Sequence, residues 1–217
     1  MSKLLLKELR LGVNPFFYAL PFLTGALMLI PAWLYFLVNL YFCFITIPNM
    51  FAGYKSNNDL LFTTVLPVSK KDIVTSRILF VVFLELLHIG LAIIFGLISV
   101  RLYPEVNYIF FGPTWGFWGL NFIMLAIFNI IFFPIYFKTA YKYGVATVLA
   151  ITAAIAFAGG AEWLGLQNSF VKDLFKGAGA DNGGVQLTIL LIGIVIFVGF
   201  TWIAYRISNK RFAKVEL

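Results

Sequence analysis

Six apolar runs, separated by charged residues and prolines, dominate the sequence. A helix that crosses a bilayer needs about 20 predominantly apolar residues, so these runs predict membrane-spanning helices. The first run is short, and only Pro31 separates it from the second, which predicts a tight helical hairpin. The predicted fold is therefore all-α, a polytopic membrane protein with six transmembrane helices. The runs are Phe16–Ile30, Ala32–Ala52, Ile78–Val100, Thr114–Phe137, Val145–Phe157 or a little beyond, and Val185–Ile207.

The composition excludes an ordinary soluble domain. Of the 217 residues, 62% are hydrophobic and 12% are charged, whereas soluble domains carry about 25% charged residues. Six spans occupy roughly 120 residues, and the rest are scattered among loops. A nucleotide-binding domain needs on the order of 100 residues in one piece, so any ATP-driven chemistry must come from another chain. The single cysteine, Cys43, lies in an apolar run and allows no internal disulfide.

The lysines and arginines predict the orientation, because basic residues concentrate in cytoplasmic loops. With both termini in the cytoplasm, thirteen basic residues lie inside and three lie outside, which accounts for all 16. We therefore expect a multi-pass protein of the plasma membrane with both termini cytoplasmic. The net charge of +7 then reflects topology and does not indicate nucleic-acid binding. The three basic residues predicted to lie outside are Arg101, Lys172 and Lys176.

The N-terminal segment 2–14 has the pattern of an amphipathic helix. One interpretation is an interfacial helix whose basic face lies on the anionic inner leaflet; the other is a cytosolic extension of the first span. The polar face carries Lys3, Lys7, Arg10 and Asn14, and the apolar face carries Leu5, Leu6, Leu9 and Val13.

The cytoplasmic loop 53–77 contains a short apolar helix that ends at Pro67. Ser69, followed three residues later by Asp72, predicts the N-cap of the helix that becomes the third span. An apolar element in a basic loop needs a surface against which to bury. That surface is either the membrane or a cytoplasmic partner. The apolar helix consists of Leu60, Leu61, Phe62, Val65 and Leu66.

A second amphipathic helix is predicted between the fifth and sixth spans, on the outer side. Glycine pairs at 159–160 and 183–184 flank it and allow sharp reversals. The helix is either a lid over a translocation path or an interfacial anchor without a special role. Its apolar face is Trp163, Leu166, Phe170 and Leu174, opposite Gln167, Lys172, Asp173 and Lys176.

The third span carries two ionisable residues, Glu85 and His88, well inside the membrane. A charged carboxylate near mid-bilayer costs roughly 2–4 kcal/mol, so this face should point into the bundle. Either the polar residues pair structurally, or they couple to substrate or to conformational change. Asn121 and Asn129 in the fourth span are candidates for hydrogen bonds between helices. The stripe is completed by Ala92, Gly96 and Ser99.

No motif in the sequence indicates catalysis. Glu85-Leu-Leu-His88 fits the Glu-x-x-His pattern of di-iron helices, but such sites need a second copy and His88 is the only histidine. The nucleophile elbow of hydrolases and the phosphate-binding loop of NTPases have no counterpart. We therefore expect no catalytic residue, no metal site and no cofactor bound by this chain.

The layout of the chain resembles the permease subunits of type-2 ABC exporters. The shared features are an amphipathic N-terminal helix, six spans, an apolar helix in the first cytoplasmic loop and a helical outer loop. The segment Leu66-Pro67-Val68-Ser69-Lys70-Lys71-Asp72-Ile73-Val74, after Asn58-Asp59, is similar to the loop of small bacterial permeases. These include the permeases of bacitracin-type and phenol-soluble-modulin peptide exporters.

The resemblance implies a complex of two permeases, identical or paired, with two separate ATPase subunits that bind ATP and magnesium. It implies a re-entrant outer helix over Trp163–Lys176. The small size for this class favours lipid-like molecules or amphipathic antimicrobial or toxin peptides as exported substrates. It also implies that the loop helix couples to the ATPases through Asn58, Asp59, Leu60, Leu61, Phe62, Leu66, Pro67, Ser69 and Lys70.

We expect a single transmembrane domain over residues 1–217. An ATP-independent immunity factor, channel or assembly scaffold is the alternative function, and an intramembrane enzyme acting on a lipid through Glu85 or His88 is a more distant one. The predicted parts are an elbow helix (2–14), a first hairpin (16–52), a coupling loop (53–77), spans three and four (78–137), span five (138–158), an outer re-entrant segment (159–184), and span six with a cytoplasmic tail (185–217).

Overall fold

The computed structural model describes residues 2–11, 14–65, 67–139, 142–175 and 182–215. These residues are arranged in helices and short connections, which confirms the predicted all-α membrane protein. A 3₁₀ turn, Leu27–Leu29, extends α2, and a π-helical segment, Phe42–Thr46, joins α3 to α4. The helices are α1 (Ser2–Leu11), α2 (Phe16–Ala26), α3 (Phe36–Tyr41), α4 (Ile47–Ser56), α5 (Asp59–Val65), α6 (Lys70–Leu102), α7 (Trp115–Thr139), α8 (Tyr143–Gln167), α9 (Ser169–Leu174) and α10 (Gly183–Ala213).

Five helices in the described part of the chain are long and apolar enough to cross a membrane. They are the continuous helix Phe36–Ser56 and the helices α6, α7, α8 and α10. The apolar segment Phe16–Leu29 is shorter. Its 11 α-helical and 3 3₁₀ residues rise about 22 Å, against about 30 Å for the hydrocarbon core of a bilayer.

The segment Phe16–Leu29 runs beside α6 in the same direction. Near its start, the ring of Tyr18 lies 6.5 Å from that of Phe80. At its end, Met28 packs beside Gly96, close enough that a Cβ on Gly96 would lie 3.3 Å from the Met28 methyl group. The short segment therefore extends from one end of the bundle toward the other.

The helix Phe36–Ser56 runs opposite to α6. The Phe42 ring lies 5.0 Å from that of His88, and the guanidinium of Arg77 lies 3.5 Å from the centre of the Tyr54 ring. Because the contacts move backward along α6 as the chain advances, the two helices are antiparallel. Ser56 and α5 thus lie near the beginning of α6.

The π-helical segment sets which faces of this helix meet α7. Asn39 donates to Asn121 and the ring of Phe51 lies 4.8 Å from that of Phe132, so both residues face α7. A straight α-helix would turn residues twelve positions apart by about 120° relative to one another. The extra residue that a π turn accommodates removes about 100° of that difference, and this brings both side chains to the same partner.

The helices α7 and α10 pack closely and run in the same direction. A Cβ placed on Gly119 would lie 2.5 Å from the Ile189 carbonyl oxygen, and one placed on Gly193 would overlap the Gly119 carbonyl oxygen. Further along, the ring of Phe212 lies 5.6 Å from that of Phe137. Small residues let membrane helices approach this closely.

Helix α1 and Val215 lie at the same end of the bundle. The Lys7 ammonium on α1 lies 2.5 Å from Asp59 on α5. The Lys70 ammonium at the start of α6 donates to the carbonyl of Val215, 2.6 Å away. We call this the α5 end. The opposite end, where α6 finishes at Leu102, is the α9 end.

Two predicted boundaries are wrong in the structure. The second span starts at Phe36 and not at Ala32, because residues 30–35 form a turn in which Ala32 has a positive φ of 56°. The fifth span was expected to end at Phe157 or a little beyond, but α8 continues for ten residues past Phe157, to Gln167. Its Gly159-Gly160 pair lies inside the helix and makes no reversal, since the apolar, alanine-rich sequence around it keeps the helical backbone.

Candidate functional site

Arg77, in the second turn of α6, is the centre of a buried ion-pair cluster at the α5 end. Its side chain is 2% exposed. Its Nη2 donates to Glu8 Oε1 on α1 at 3.2 Å and to Asp59 Oδ2 on α5 at 2.5 Å. The guanidinium also stacks over the Tyr54 ring at the end of α4. One side chain thereby joins four helices.

Lys7 completes the cluster from α1. Its ammonium lies 2.5 Å from Asp59 Oδ1 and donates to Thr63 Oγ1 at 2.8 Å. The Tyr54 hydroxyl donates to Glu8 Oε2 at 2.7 Å. We call this group the Arg77 cluster; its members are Lys7, Glu8, Tyr54, Asp59, Thr63 and Arg77.

The Arg77 cluster contains two cations and two carboxylates, so its formal charges cancel. Burial favours the neutral form of Asp59, but the Arg77 charge and the hydrogen bond from Lys7 outweigh burial and hold the pKa of the Asp59 carboxyl below its usual range. Asp59 therefore stays ionised and paired. Buried charges of this kind are tolerated only when they are paired and hydrogen-bonded.

The same contacts orient α5. Asp59 and Thr63, four residues apart, share one face of the helix and point into the Arg77 cluster. On the rest of the helix, the side chain of Phe62 is 63% exposed and that of Val65 is 81% exposed. A polar anchor on one face thus presents apolar residues outward on the other.

The remaining predicted residues of this loop surround α5. Asn58 precedes the helix with a positive φ of 49°, a conformation that asparagine tolerates better than most residues. Ser69 caps α6 and accepts from the Asp72 N–H at 3.1 Å, as predicted, and Pro67 is exposed. Leu60 and Leu61 belong to α5, but their side chains, like the whole of Leu66, lie outside the described residues.

A second polar group lies in the middle of the bundle, around Glu85. Asn129 on α7 donates to Glu85 Oε2 at 3.0 Å and approaches Thr201 Oγ1 on α10 at 3.1 Å. Glu85 is fully buried. These three residues, the Glu85 network, link α6, α7 and α10.

His88 is buried beside the Glu85 network but belongs to a separate contact. Its Nδ1 lies 2.9 Å from the Leu84 carbonyl of its own helix, and its ring packs edge-on against Phe42. No hydrogen bond between Glu85 and His88 is present among the described residues. The rest of the predicted stripe, Ala92, Gly96 and Ser99, is buried as well.

Asn121 lies two turns before Asn129 on α7 and connects to a different helix. Its Oδ1 accepts from Asn39 Nδ2 on α3 at 2.8 Å, while its own Nδ2 donates to the Phe117 carbonyl at 2.9 Å. The two asparagines therefore attach α7 to α3 on one side and to α6 and α10 on the other.

The family model described as "ABC-2 family transporter protein" matches residues 3–213, nearly the whole chain. The chain belongs to the ABC-2 transporter family. It is a membrane-spanning permease subunit of an ABC transporter, which confirms the predicted resemblance at this level. The similarity to bacitracin-type and phenol-soluble-modulin exporters stays a prediction. No curated protein and no solved structure matches the chain.

The prediction of one separate outer helix is wrong, because the structure divides its residues between two helices. Trp163 and Leu166 belong to the last turns of α8, whereas Phe170 and Leu174 belong to α9. Asn168 interrupts the helix because its side-chain oxygen caps α9, accepting from the N–H groups of Phe170 and Val171. Trp163 and Phe170 are exposed, at 60% and 73%. Lys176 lies outside the described residues.

Several residues that build these groups were missed at the level of sequence. Arg77 was counted only among the basic residues on the cytoplasmic side, and Lys7 was expected on the polar face of α1 without a partner inside the protein. Glu8, an acid in an otherwise basic helix, was the available signal for an internal partner. Tyr54, Asn39 and Thr201 carried no such signal, because each is a single uncharged polar side chain within an apolar run.

Proposed function

We propose that this permease is the membrane subunit of an ATP-driven exporter in which α5 is the helix that docks with the ATPase subunits. The observation that supports this most directly is the exposed apolar pair Phe62 and Val65 on a helix fixed by the Arg77 cluster. Exposed apolar residues on a short, anchored helix indicate a protein partner. The α5 end would then face the cytoplasm, in agreement with the basic residues gathered there.

In the proposed complex, two ATPase subunits hold ATP and magnesium beneath two permeases, either identical or paired. Membrane subunits of this family are generally non-catalytic, and we propose that the chain has no ATPase site of its own. The segment Phe16–Leu29 would be a sixth, short span. Its path from the α5 end toward the α9 end supports this assignment.

The Arg77 cluster provides a route by which an ATPase could move the spans. A ligand shifts a conformational equilibrium only when it binds one state more tightly than the other, so ATP must favour one arrangement of the ATPase pair. A movement of α5 would be passed to α1, α4 and α6 through the buried ion pairs. Because the charges of the cluster are paired with one another across these helices, the elements should move together.

The proposed substrates are amphipathic peptides, including antimicrobial or toxin peptides, or lipid-like molecules. The small size of the chain for an exporter subunit supports this class over long polymers. The connections between the long helices are short; the one between α6 and α7, for example, spans only residues 103–114.

The docking proposal is tested by co-purification of the ATPase with permease variants. We expect Phe62→Asp and Val65→Asp to abolish ATPase binding, because each places a charge in the proposed apolar interface. Ile109→Asp is the matched control, since Ile109 is 66% exposed at the α9 end, and it should leave binding unchanged. Normal ATPase binding by both α5 variants would show that α5 is not the docking helix.

A further inference from the structure

A cavity of about 630 Å³ lies at the α9 end of the permease. It is bounded by the α6–α7 connection on one side and by the end of α8 with α9 on the other. Ligand sites in proteins commonly have volumes of about 300–1,000 Å³, so this cavity is large enough for a small amphiphile. The residues that line it and matter here are Glu105, Tyr108, Phe111, Glu162, Lys172 and Phe175.

Glu162 is the buried ionisable residue of this cavity. Its relative exposure is 5%. Its Oε2 accepts from the backbone N–H of Phe111 at 3.2 Å, whereas Oε1 has no hydrogen-bond partner among the described residues. A buried carboxylate oxygen without a partner is costly, and a ligand that donates a hydrogen bond or carries a positive charge would remove that cost.

Aromatic rings form the wall beside Glu162. The rings of Phe111 and Phe175 lie 4.4 Å apart. Gly165, one turn from Glu162, lets Phe111 approach, because a Cβ at Gly165 would lie 2.7 Å from that ring. Aromatic faces attract ammonium groups and also pack against alkyl chains, so the wall complements a cation with an apolar body.

The other ionisable groups of the cavity leave Glu162 uncompensated. Burial and the neighbouring Tyr35 raise the pKa of Tyr108 to about 12, so its phenol is neutral at physiological pH. Lys172 and Glu105 are exposed, and Lys172 forms no ion pair with Glu162 within the described part of the chain. The unpaired ionisable group inside the cavity is therefore the Glu162 carboxyl.

We propose that this cavity binds a primary ammonium group attached to an apolar chain, with Glu162 as its counter-charge. The ammonium could belong to a lipid headgroup or to a free cationic amphiphile, since both present the same chemistry. The proposal concerns binding at the α9 end only. It does not depend on the docking of an ATPase to α5 or on the direction of transport.

The test uses the full permease in nanodiscs of phosphatidylglycerol, a lipid without an ammonium group. The probe is a primary alkylamine that carries a diazirine, and mass spectrometry identifies the labelled peptides. We expect labelling of the α6–α7 connection and of the end of α8. Glu162→Gln should reduce that labelling about tenfold, which corresponds to about 1.4 kcal/mol of binding free energy.

Asp173→Asn is the matched control, because it removes a carboxylate from exposed α9 outside the cavity lining, and its labelling should equal that of the parent.

If Glu162→Gln fails to fold, competition on the parent protein decides: unlabelled alkylamine should suppress labelling and the corresponding alcohol should not. Suppression by added phosphatidylethanolamine would identify the lipid as the source, and unchanged labelling would identify a free amphiphile. Equal labelling by amine and alcohol probes, or by the parent and Glu162→Gln, would overturn the proposal.

Discussion

Arg77 brings together charges from parts of the chain that are far apart in sequence. Glu8 lies 69 residues from it and Asp59 lies 18 residues from it. Both carboxylates pair with this one guanidinium, and Lys7 is the other cation near them. The energetic consequence of losing Arg77 is therefore different from that of losing a surface arginine.

We predict that Arg77→Met lowers the free energy of unfolding by about 3–5 kcal/mol, because it leaves two buried carboxylates with Lys7 as their single cationic partner. Equilibrium unfolding in detergent measures the change. Arg101→Met is the matched control, since Arg101 is an exposed residue near the other end of the same helix, and it should change stability by less than about 0.5 kcal/mol. Equal losses in the two variants would contradict a special role for the Arg77 cluster.

The Glu85 network leads to a prediction that separates hydrogen bonding from charge. Glu85→Gln keeps an oxygen that can accept from Asn129 and should retain the stability of the parent. Glu85→Leu removes that acceptor and should cost about 1–3 kcal/mol. Thermal unfolding of both variants in the same detergent distinguishes them, and an equal loss for Gln and Leu would argue against a simple acceptor role.

Transport by Glu85→Gln then addresses function separately. If the folded variant still exports substrate at the parental rate, the network serves packing. If export falls while stability is retained, the carboxylate takes part in substrate passage or in conformational coupling. The two measurements together keep the structural and functional interpretations distinct.

At the residue level, sequence predicted which polar groups are buried better than it predicted their partners. Glu85 was expected to face the bundle because of its depth in an apolar run. Asn129 and Thr201 could not be paired with it, because they lie 44 and 116 residues away on helices whose mutual rotation depends on tertiary packing. Arg77 was misjudged for a related reason, since a charge at the edge of a span resembles any other loop charge.

At the level of helices, the contact between α7 and α10 depends on two glycines. Gly119 and Gly193 allow the two backbones to touch, and neither position has room for a side chain. The contact also sets the distance at which Asn129 reaches Thr201. Helix spacing and the geometry of the Glu85 network are thus connected.

We predict that Gly193→Ala costs about 1–3 kcal/mol, because the added methyl group forces α10 away from α7. Gly199→Ala, on the same helix, is the matched control, since nothing lies within 4 Å of a Cβ at that position. Alanine there should be neutral or slightly stabilising. Thermal unfolding of the two variants measures the difference, and identical behaviour would show that the α7–α10 approach can relax without cost.

The sequence predicted which segments form long helices, but it did not predict where some of those helices end. Long apolar runs identified the five long helices, because a chain in lipid must satisfy its backbone hydrogen bonds internally. The glycine pair at 159–160 was misread as a reversal, since glycine permits a turn but does not require one. Helix α8 instead ends just before Asn168. The side-chain oxygen of this residue caps α9, and this capping competes with continuation of α8.

For the whole molecule, the directions of the helices place α1, α5 and Val215 at the same end. The N-terminal helix and α5 are joined by Lys7 and Asp59, so a membrane cannot pass between them. The α9 end, with its Glu162 cavity, must then lie on the other side if α6 crosses the bilayer. This arrangement makes the topology testable with few positions.

We predict that a membrane-impermeant maleimide applied to intact cells labels Ser169→Cys but neither Leu6→Cys nor Asn57→Cys, and that permeabilisation exposes all three. Each is introduced in a Cys43→Ala background, so that the introduced cysteine is the one thiol available to the reagent. Alanine is the replacement because native Cys43 is buried. Labelling of Leu6→Cys from outside, with Asn57→Cys protected, would exclude a common side for the two helices. Labelling of Asn57→Cys and Leu6→Cys alone would reverse the proposed orientation.

The π-helical segment at 42–46 has a consequence for changes in chain length. Between Asn39 and Phe51 but outside 42–46, deleting one residue would rotate one part of the helix by about 100° relative to the other and would separate either Asn39 or Phe51 from α7. Within 42–46, the same deletion would convert the wide turn to an ordinary α-helical one and would keep both halves in phase. This helix should therefore tolerate the loss of a residue within 42–46, beside the buried Glu85, better than elsewhere between Asn39 and Phe51.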